Sequence, residues 1–498
     1  MPNIPRTLKD LPSPKEHWLK GSLGQFKPDE IHTYFYTHAK ALGDMYKIRL
    51  LNKPVVVVSN AAVVFDILKQ RPSRYRRAKS IALTYKNARI HGAFSSEGEQ
   101  WRNYRQLLAP AFKPKYIARM LPIIQKSVMR FVAHIEQAPQ PLDIQVPLQR
   151  LIIDITSELA LGYDINSLSN PDNQLQDHLN IIFEHLSHAN TPPAFYSRLV
   201  QPCPKTLAIS LAYVRKNILS LIRTTKSQLT PEHAPNTILE ALLLAKDEQG
   251  QTFSEDMIYR NIISLLSAGE DTTASTVAWA VYYLAKNPSV QQSLRNEITA
   301  NYPQKGTLQW QDLENFPLTL GACQEALRLA PAIPFLLLEP LGDEVINGVY
   351  VSKGTTVAVL LASDNHNASL FKDSEQFHPN RWPAFTDEQK KQASIALSPF
   401  GGGPRLCPGM QLSLVKQKVI LIELLKHYTL TLDSTVPVTS HYRLAAAPSH
   451  LKVKTAKVAT TRVAPPLAIQ TANALASKTH QTQALEHHAD NQTPHAID

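Results

Sequence analysis

Apolar residues recur at helical spacing along most of this 498-residue chain. The longest pattern runs from Phe253 to Lys286 and predicts a helix of about 50 Å, long enough to cross a whole domain. Shorter patterns predict further helices over residues 31–42, 61–69, 98–109, 117–135, 143–161, 170–190, 207–229, 321–330 and 412–425. The chain is therefore predicted to be mainly α-helical.

A smaller set of segments predicts a β-rich lobe near the N-terminus. Strands are predicted over residues 46–51, 54–59, 344–350 and 355–361. Asn52-Lys53, between the first two, is typical of a hairpin turn. Residues 73–100 are basic and without a clear period, which predicts a long irregular loop.

The composition is that of a globular protein without a membrane anchor. Apolar residues make up 43% of the chain, yet no apolar run approaches the length that crosses a bilayer, and the N-terminus lacks a signal core. The three cysteines, Cys203, Cys323 and Cys407, are too few for a disulfide framework, so a cytoplasmic location is expected. The net charge of +11 is spread along the chain, and nucleic-acid binding is not predicted.

The end of the chain has a different character. Residues 456–498 contain no Phe, Tyr or Trp and are rich in Ala, Thr, Gln and His. Such a segment cannot bury enough apolar surface to fold. We expect one catalytic domain over residues 1–455 and a disordered tail over residues 456–498.

The most informative stretch is Phe400-Gly-Gly-Gly-Pro-Arg-Leu-Cys-Pro-Gly409, just ahead of a predicted helix. Glycine and proline at this density predict a tight bend. The positive end of the helix favours the thiolate of Cys407, which is the form that ligates metal. Arg405 adds positive charge suited to a carboxylate. The alternative is a glycine-rich loop around an inert, buried cysteine.

The centre of the longest predicted helix is unusually polar. Its sequence is Ala268-Gly-Glu-Asp-Thr-Thr273, and an acidic pair is costly in a central helix unless it is solvated or functional. A threonine hydroxyl can bond back to a carbonyl one turn earlier and open a groove. Asp271 and Thr272 are therefore candidates for delivering protons to a bound oxygen ligand. The alternative is a solvated stretch of an amphipathic helix.

Trp101 and Arg105 lie four residues apart and share one helical face. They can offer an indole N–H and a guanidinium to one acidic group. A cation–π pair on an exposed helix fits the same spacing.

Glu325 and Arg328, three residues apart, can form an ion pair on a helix that ends before Pro331. A buried pair needs further partners, and Arg381 of Phe377-x-Pro-x-Arg-Trp382 can supply one. We interpret the three as a structural lock on the loop that carries Cys407.

In their order along the chain, these motifs resemble those of the cytochrome P-450 family. Phe400-x-x-Gly-x-Arg-x-Cys-x-Gly409 is similar to its heme-binding signature, and Ala268-Gly-x-Asp-Thr272 to the motif of its central I helix. The resemblance covers residues 5–455 and implies a mainly α fold, with a long I helix and a small β-rich lobe. It also implies heme b (iron protoporphyrin IX) and a monooxygenase reaction.

The resemblance assigns a role to each motif. Cys407 would ligate the heme iron, and Asp271 and Thr272 would relay protons. The implied cofactor-binding residues are Trp101, Arg105, Ala268, Gly269, Phe400, Gly401, Arg405, Cys407 and Gly409. Glu325, Arg328 and Arg381 would form the structural triad. Substrate would lie against Ala268, Thr272, Phe335 and Leu336.

One position departs from the family. Leu338 stands where the family often places a basic residue that meets a heme propionate. We therefore expect propionate binding to rely on Trp101, Arg105 and Arg405.

The expected partners follow from the same resemblance. The β-rich lobe and residues 142–163 are most similar to soluble bacterial members related to fatty-acid hydroxylases and eukaryotic enzymes. The resemblance implies that one oxygen atom from O₂ is inserted into a lipophilic small molecule by hydroxylation or epoxidation, while the second leaves as water. Electrons are expected from a separate ferredoxin or flavoprotein, since the chain shows no such module. A basic docking patch is predicted from Arg102, Lys113, Lys115, Lys416 and Lys418.

Two alternatives stay open at this point. A heme-thiolate enzyme that uses peroxide or isomerises its substrate would retain Cys407 but would not need Asp271 and Thr272. A non-catalytic heme sensor would retain the ligand and would be expected to carry a signalling domain, which the sequence does not show.

Overall fold

The structure is a computed structural model that describes residues 5–170, 173–187, 205–230, 232–304, 306–433 and 436–458. Its contacts divide the chain into one unit from Met1 to Lys457 and a second from Val458 to Asp498. The tail predicted from residue 456 lies outside the described residues after Val458, as does Cys203. The predicted disorder of that tail stays a prediction.

Helices form most of the first unit, which confirms the predicted fold class. The described helices are α1 (Ile31–Leu42), α2 (Ala61–Lys69), α3 (Lys79–Asn87), α4 (Gly98–Leu108), α5 (Pro114–Gln137), α6 (Gln145–Leu161), α7 (Gln174–Ser187), α8 (Lys205–Gln228), α9 (Ile238–Leu244), α10 (Glu255–Lys286), α11 (Pro288–Asn301), α12 (Pro317–Leu329), α13 (Arg381–Ala384), α14 (Asp387–Ala396) and α15 (Met410–His427). Most agree with the predicted spans to within a few residues.

The 32-residue helix α10 is central and packs against α6, α12 and α15. It begins because the Ser254 hydroxyl accepts a hydrogen bond from the N–H of Met257, and it ends at Asn287, where Pro288 starts the next helix. Most of its side chains are buried. Helix α15 is even more enclosed, since every residue from Val415 to Leu425 is buried.

The strands form small sheets beside the helices. They are β1 (Met45–Leu50), β2 (Lys53–Val58), β3 (Tyr75–Arg77), β4 (Leu142–Asp143), β5 (Phe335–Pro340), β6 (Glu344–Ile346), β7 (Val349–Val351), β8 (Thr356–Leu360), β9 (Tyr428–Leu432), β10 (Thr439–Tyr442), β11 (Ala446–Ser449) and β12 (Lys452–Lys457). The largest sheet has the order β1-β2-β8-β5-β3, in which only β2 and β8 run parallel. Together with α2, it encloses its own apolar cluster.

Two local predictions are wrong. Residues 73–100 are not an irregular loop, because they contain β3, α3 and the start of α4. Strand β3 forms only by pairing with the distant β5, which a local pattern cannot reveal. The strand predicted over 344–350 is the hairpin of β6 and β7, which turns at Asn347 and Gly348, both with positive φ.

Within the part of the chain that the structure describes, no helix is long and apolar enough to cross a membrane.

Candidate functional site

One cavity brings most of the predicted site residues together. It lies among α4, α10, α15, β5 and the loop before α15. The predicted residues that line it are Trp101, Arg105, Ala268, Gly269, Thr272, Phe335, Leu336, Phe400, Gly401, Arg405, Cys407 and Gly409. Asp271 and the predicted triad lie outside this lining.

Cys407 faces the cavity from the loop ahead of α15. Its N–H donates to the Phe400 carbonyl at 3.0 Å, which closes the loop. Burial raises the pKa of the Cys407 thiol, while the N–H groups of Gly409 and Met410 and the charge of Arg105 lower it. The expected helix-end contribution is therefore present, but burial outweighs it. A coordinated cation removes a thiol proton outright, so metal ligation overrides this balance.

Gly403 explains how the loop is held. Its φ is +60°, and a Cβ at this position would lie 2.6 Å from the Leu68 carbonyl oxygen at the end of α2. Only glycine tolerates both the left-handed backbone and this approach. The loop around Cys407 is thereby seated directly on α2.

The centre of α10 shows the predicted back-bonding of threonine hydroxyls, although the helix continues without a break from Glu255 to Lys286. The Thr272 hydroxyl donates to the Ala268 carbonyl at 2.8 Å, and the Thr276 hydroxyl donates to the Thr272 carbonyl at 2.8 Å. A Cβ at Gly269 would lie 3.2 Å from Cγ2 of Thr156 on α6. Gly269 therefore permits the close approach of α6, a role that the sequence did not indicate.

The acidic pair on α10 holds its protons more tightly than exposed carboxyls do. Burial raises the pKa of Asp271, against the charge of Arg443 and a hydrogen bond from Gln149. Burial and the neighbouring Asp271 raise the pKa of Glu270 well above its usual range. Glu270 Oε2 has no hydrogen-bond partner among the described residues.

Four arginines converge on one end of the cavity, from different elements. They are Arg71, Arg77, Arg105 and Arg405. Arg405 pairs with Glu97, donates to the Ser96 carbonyl at 2.7 Å and places its Cζ 4.4 Å from the centre of the Trp101 ring. Trp101 and Arg105 thus share one site with Arg405, as the resemblance implied.

This arginine cluster has more cations than carboxylates. In the described chain, Glu97 is the only carboxylate that bonds to it. Arg71 is 3% exposed, and its Nε and Nη2 have no hydrogen-bond partner within the described residues; the same is true of Nε of Arg405. Burial and the charges of neighbouring arginines lower the pKa of Arg71 to about 9 and that of Arg405 to about 10. The cluster is suited to a ligand with more than one negative charge.

Arg71 and Arg77 are site residues that the sequence analysis missed. Arg77 pairs with Leu338 across β3 and β5, so a guanidinium comes from the strand beside the position where a basic residue was expected. Its Nε donates to the Phe94 carbonyl at 3.2 Å, and its Cζ lies 3.8 Å from the centre of the Phe94 ring. The sequence shows that Tyr75 and Arg77 are two residues apart and would share one face of a strand. It does not show that this strand pairs with β5.

Glu325, Arg328 and Arg381 meet in a buried network, as their spacing suggested. Glu325 accepts two hydrogen bonds from Arg328, at 2.7 and 2.9 Å, and one from Arg381 at 3.0 Å. The N–H of His378 and Nε1 of Trp382 add bonds at 3.0 and 2.9 Å. This network joins α12 to the segment that leads toward Cys407.

The predicted docking patch is wrong at two of its five positions. Lys416 is 3% exposed and Lys418 is 9% exposed. Lys416 lines the cavity, and Lys418 donates to the Leu313 carbonyl at 2.7 Å. The enclosure of α15 is the reason, because it leaves this helix no solvent face at these residues. Arg102, Lys113 and Lys115 are exposed.

The side chains around the cavity fit heme b. Cys407 is placed where it would provide a thiolate ligand. Arg71 and Arg405 have donors without a partner among the described residues, and these donors suit a cofactor that carries two carboxylates. A cysteine ahead of a helix, facing a cavity with this charge distribution, is the arrangement expected of a heme-thiolate protein. The cytochrome P450 profile matches residues 11–455, and the chain belongs to this family. It is therefore a heme-thiolate monooxygenase with heme b as its cofactor.

Individual relatives cover most of the chain. It is 25% identical over 465 residues to cytochrome P450 monooxygenase sphH of Aspergillus fumigatus, covering 87% of this chain and 85% of that protein. It is 23% identical over 455 residues to human cytochrome P450 4F8, covering 87% of each. The solved cytochrome P450DA heme domain matches with a TM-score of 0.79 at 20% identity, covering 90% of this chain and 96% of that one. The structural match shows the shared fold.

Proposed function

We propose that this enzyme inserts one oxygen atom from O₂ into a lipophilic small molecule, by hydroxylation or epoxidation, with electrons from a separate protein. The observation that carries the proposal is one cavity lined by both Cys407 and Thr272, whose remaining wall is largely apolar. A site of this kind combines a metal ligand, a proton-carrying hydroxyl and room for an apolar molecule.

The cofactor would be held at both ends. Cys407 would ligate the iron, and heme b supplies the oxygen-activating chemistry when it is bound. Trp101, Arg105 and Arg405 would hold the propionates, together with Arg71 and Arg77 of the same cavity. Arg77 pairs with Leu338, the position where a basic residue was expected. Charge-assisted hydrogen bonds from these arginines would fix the orientation of the ring.

Thr272 and Asp271 would handle protons. Thr272 lines the cavity, and its hydroxyl donates its proton to the Ala268 carbonyl. The hydroxyl oxygen can therefore accept a hydrogen bond from a donor in the cavity. Asp271 is the adjacent residue, and its raised pKa lets it hold a proton nearer to neutral pH. Asp271 would supply protons to Thr272, which would pass them to the cavity.

The substrate would contact Ala268, Thr272, Phe335 and Leu336, which line the same cavity. Further apolar side chains extend this surface, including Ile81, Phe94, Leu265 and Leu444. The lining supports a lipophilic molecule as the substrate class.

An acidic electron donor would dock beside the Cys407 loop. The ring of Phe112 would lie 3.8 Å from a Cβ at Gly409, which brings the following Lys113 close to the loop. Lys113, Lys115 and Arg102 are exposed there. A basic surface at this position suits electrostatic steering of a ferredoxin or flavoprotein.

The test uses the purified holoenzyme with a surrogate ferredoxin and ferredoxin reductase, and a panel of neutral lipophilic compounds. Product should gain one atom from isotopically labelled O₂. In Thr272→Ala, electron consumption should continue while product falls about tenfold or more and hydrogen peroxide appears. Thr272→Ser keeps the hydroxyl and should retain coupling.

Two results would contradict this proposal. One is product that forms equally well from added peroxide without the electron donor. The other is unchanged coupling in Thr272→Ala, which would remove Thr272 from the mechanism.

A further inference from the structure

Lys416 lies in the cavity wall, where a lysine is costly. Its Nζ donates to the Thr156 hydroxyl at 2.8 Å. That hydroxyl uses its own proton to bond the Ile152 carbonyl at 2.6 Å, so it can only accept from Lys416. Among the described residues, no carboxylate pairs with Lys416. A group with three possible donors thus has one neutral partner.

Lys416 lies in the wall of the cofactor cavity, but its side chain bonds to α6 and not to the sulfur of Cys407. Lys416 and Thr156 line the same cavity as Cys407, together with Leu412 and Ser413 on α15. Lys416 follows Cys407 by nine residues, and its side-chain contact is with α6. It therefore borders the same cavity as Cys407 from the side of α6.

The charged groups on the helices around Lys416 are engaged elsewhere or hold their protons. Glu158 of α6 pairs with Lys126 of α5, and Asp154 of α6 accepts from the N–H groups of Ser167 and Leu168. Further charged groups on these helices include Glu270 and Asp271 of α10, whose pKa values are raised. Glu325 and Arg328 of α12 pair together, Arg295 and Glu297 of α11 bond to other groups, and Arg130 of α5 pairs with Asp164. Lys418 and Glu423 of α15 bond to Leu313 and Tyr302.

Burial is consequently unopposed at Lys416. It lowers the pKa of this side chain from the usual 10.5 to about 7. Near neutral pH the amine and the ammonium are then almost equal in free energy. A change of one charge within the same cavity is enough to decide between them, because the low-dielectric interior screens it little.

We propose that Lys416 takes up a proton when the heme in this cavity accepts an electron, so that reduction and protonation are coupled through this side chain. The electron comes from the separate donor protein and the proton from solvent, so the charge within the cavity is conserved. The ammonium that forms keeps its hydrogen bond to Thr156. The proposal rests on heme binding and on no particular substrate.

Potentiometry of the substrate-free holoenzyme tests the coupling. From about pH 7 upward, the wild-type midpoint potential should fall with pH, by at most about 59 mV per unit for one proton per electron. The slope should be lost in Lys416→Met. It should persist in Lys418→Met, a matched change of a buried lysine outside the cavity lining. Lys416→Arg stays charged and should also lose the slope, at a higher potential than Lys416→Met.

A second measurement does not depend on any variant. Reduction of the wild type in weakly buffered solution near pH 7.5, followed with a pH indicator, should consume protons. No proton uptake, or equal slopes in wild type and Lys416→Met, would overturn the proposal. The absorption spectrum of the reduced protein with carbon monoxide separates this outcome from failure of the heme-thiolate site. Thiolate-ligated heme gives a strongly red-shifted Soret band in this spectrum, and loss of the thiolate would remove it.

Discussion

Two clusters of arginine and glutamate in the described part of the chain, one around Glu325 and one around Glu97, differ in how completely their polar atoms are bonded. Around Glu325, each carboxylate oxygen and most guanidinium nitrogens are bonded within the protein. Around Glu97, Arg71 and Arg405 retain nitrogens that have no partner in the part of the chain that the structure describes, and these arginines face the cavity. We call the Glu325 cluster closed, because its polar groups are bonded within the protein. We call the Glu97 cluster open, because some of its donors are not.

The difference shows that burial of a charged side chain does not by itself indicate whether that side chain stabilises the fold. A buried ion pair contributes to stability only when the surrounding groups are satisfied, and an unpaired buried charge costs free energy. The closed Glu325 cluster can therefore stabilise the fold by itself. The open Glu97 cluster is destabilising until an anionic ligand arrives, so its unsatisfied charge is free energy available for binding the cofactor.

The largest expected effect comes from opening the closed cluster. Glu325→Gln leaves Arg328 and Arg381 buried without a counter-charge and should lower the free energy of unfolding by about 3–5 kcal/mol. Chemical denaturation of the apoprotein and holoprotein measures it. Glu30→Gln breaks the exposed Lys27–Glu30 pair at the same i, i+3 spacing and should have a far smaller effect. Equal losses in the two variants would contradict the distinction.

The second effect concerns the open cluster. Arg71→Met removes a cation that has two unpartnered nitrogens, so the apoprotein should lose little stability. Heme should dissociate about tenfold faster or more, because a hydrogen bond to a charged group contributes about 1.5–3 kcal/mol. Heme transfer to apomyoglobin measures the rate.

Arg76→Met is the control for Arg71→Met. Arg76 pairs with Glu339 on the other side of β3 and should leave heme dissociation unchanged. An apoprotein that is strongly destabilised by Arg71→Met, with heme retention unaffected, would mean that the Glu97 cluster is also structural.

The smallest expected effect tests a single hydrogen bond of the closed cluster. Trp382→Phe keeps an aromatic ring against Phe371 and Phe385 but removes the N–H that donates to Glu325. Four other hydrogen bonds to Glu325 persist, so the loss should be about 1 kcal/mol in chemical denaturation. Heme affinity should not change. A loss as large as that of Glu325→Gln would show that the carboxylate depends on this single donor.

Much of the site was predictable because its motifs act locally. The bend around Cys407 follows from its glycine and proline content, and the back-bonding of Thr272 follows from the chemistry of a hydroxyl on a helix. Trp101 with Arg105, and Glu325 with Arg328, follow from helical spacing. None of these requires knowledge of a distant partner.

The missed residues all depend on distant partners. Arg77 turns toward the cavity because β3 pairs with β5, and Glu97 is neutralised by Arg405, more than 300 positions along the chain. Lys416 looked like a surface residue, since lysine usually is. Helix periodicity could not correct this, because α15 is buried on all sides from Val415 to Leu425.

The sequence by itself thus determined the helical class, the thiolate loop and the residues that act within one turn of each other, since short-range geometry depends only on neighbouring residues. The tertiary structure alone decided which buried charges are paired with residues from other elements. Partners are set by packing between elements far apart in the chain, and a single side chain type is compatible with either outcome. In this protein, such pairing distinguishes the arginines that are bonded within the fold from the arginines that face the cavity.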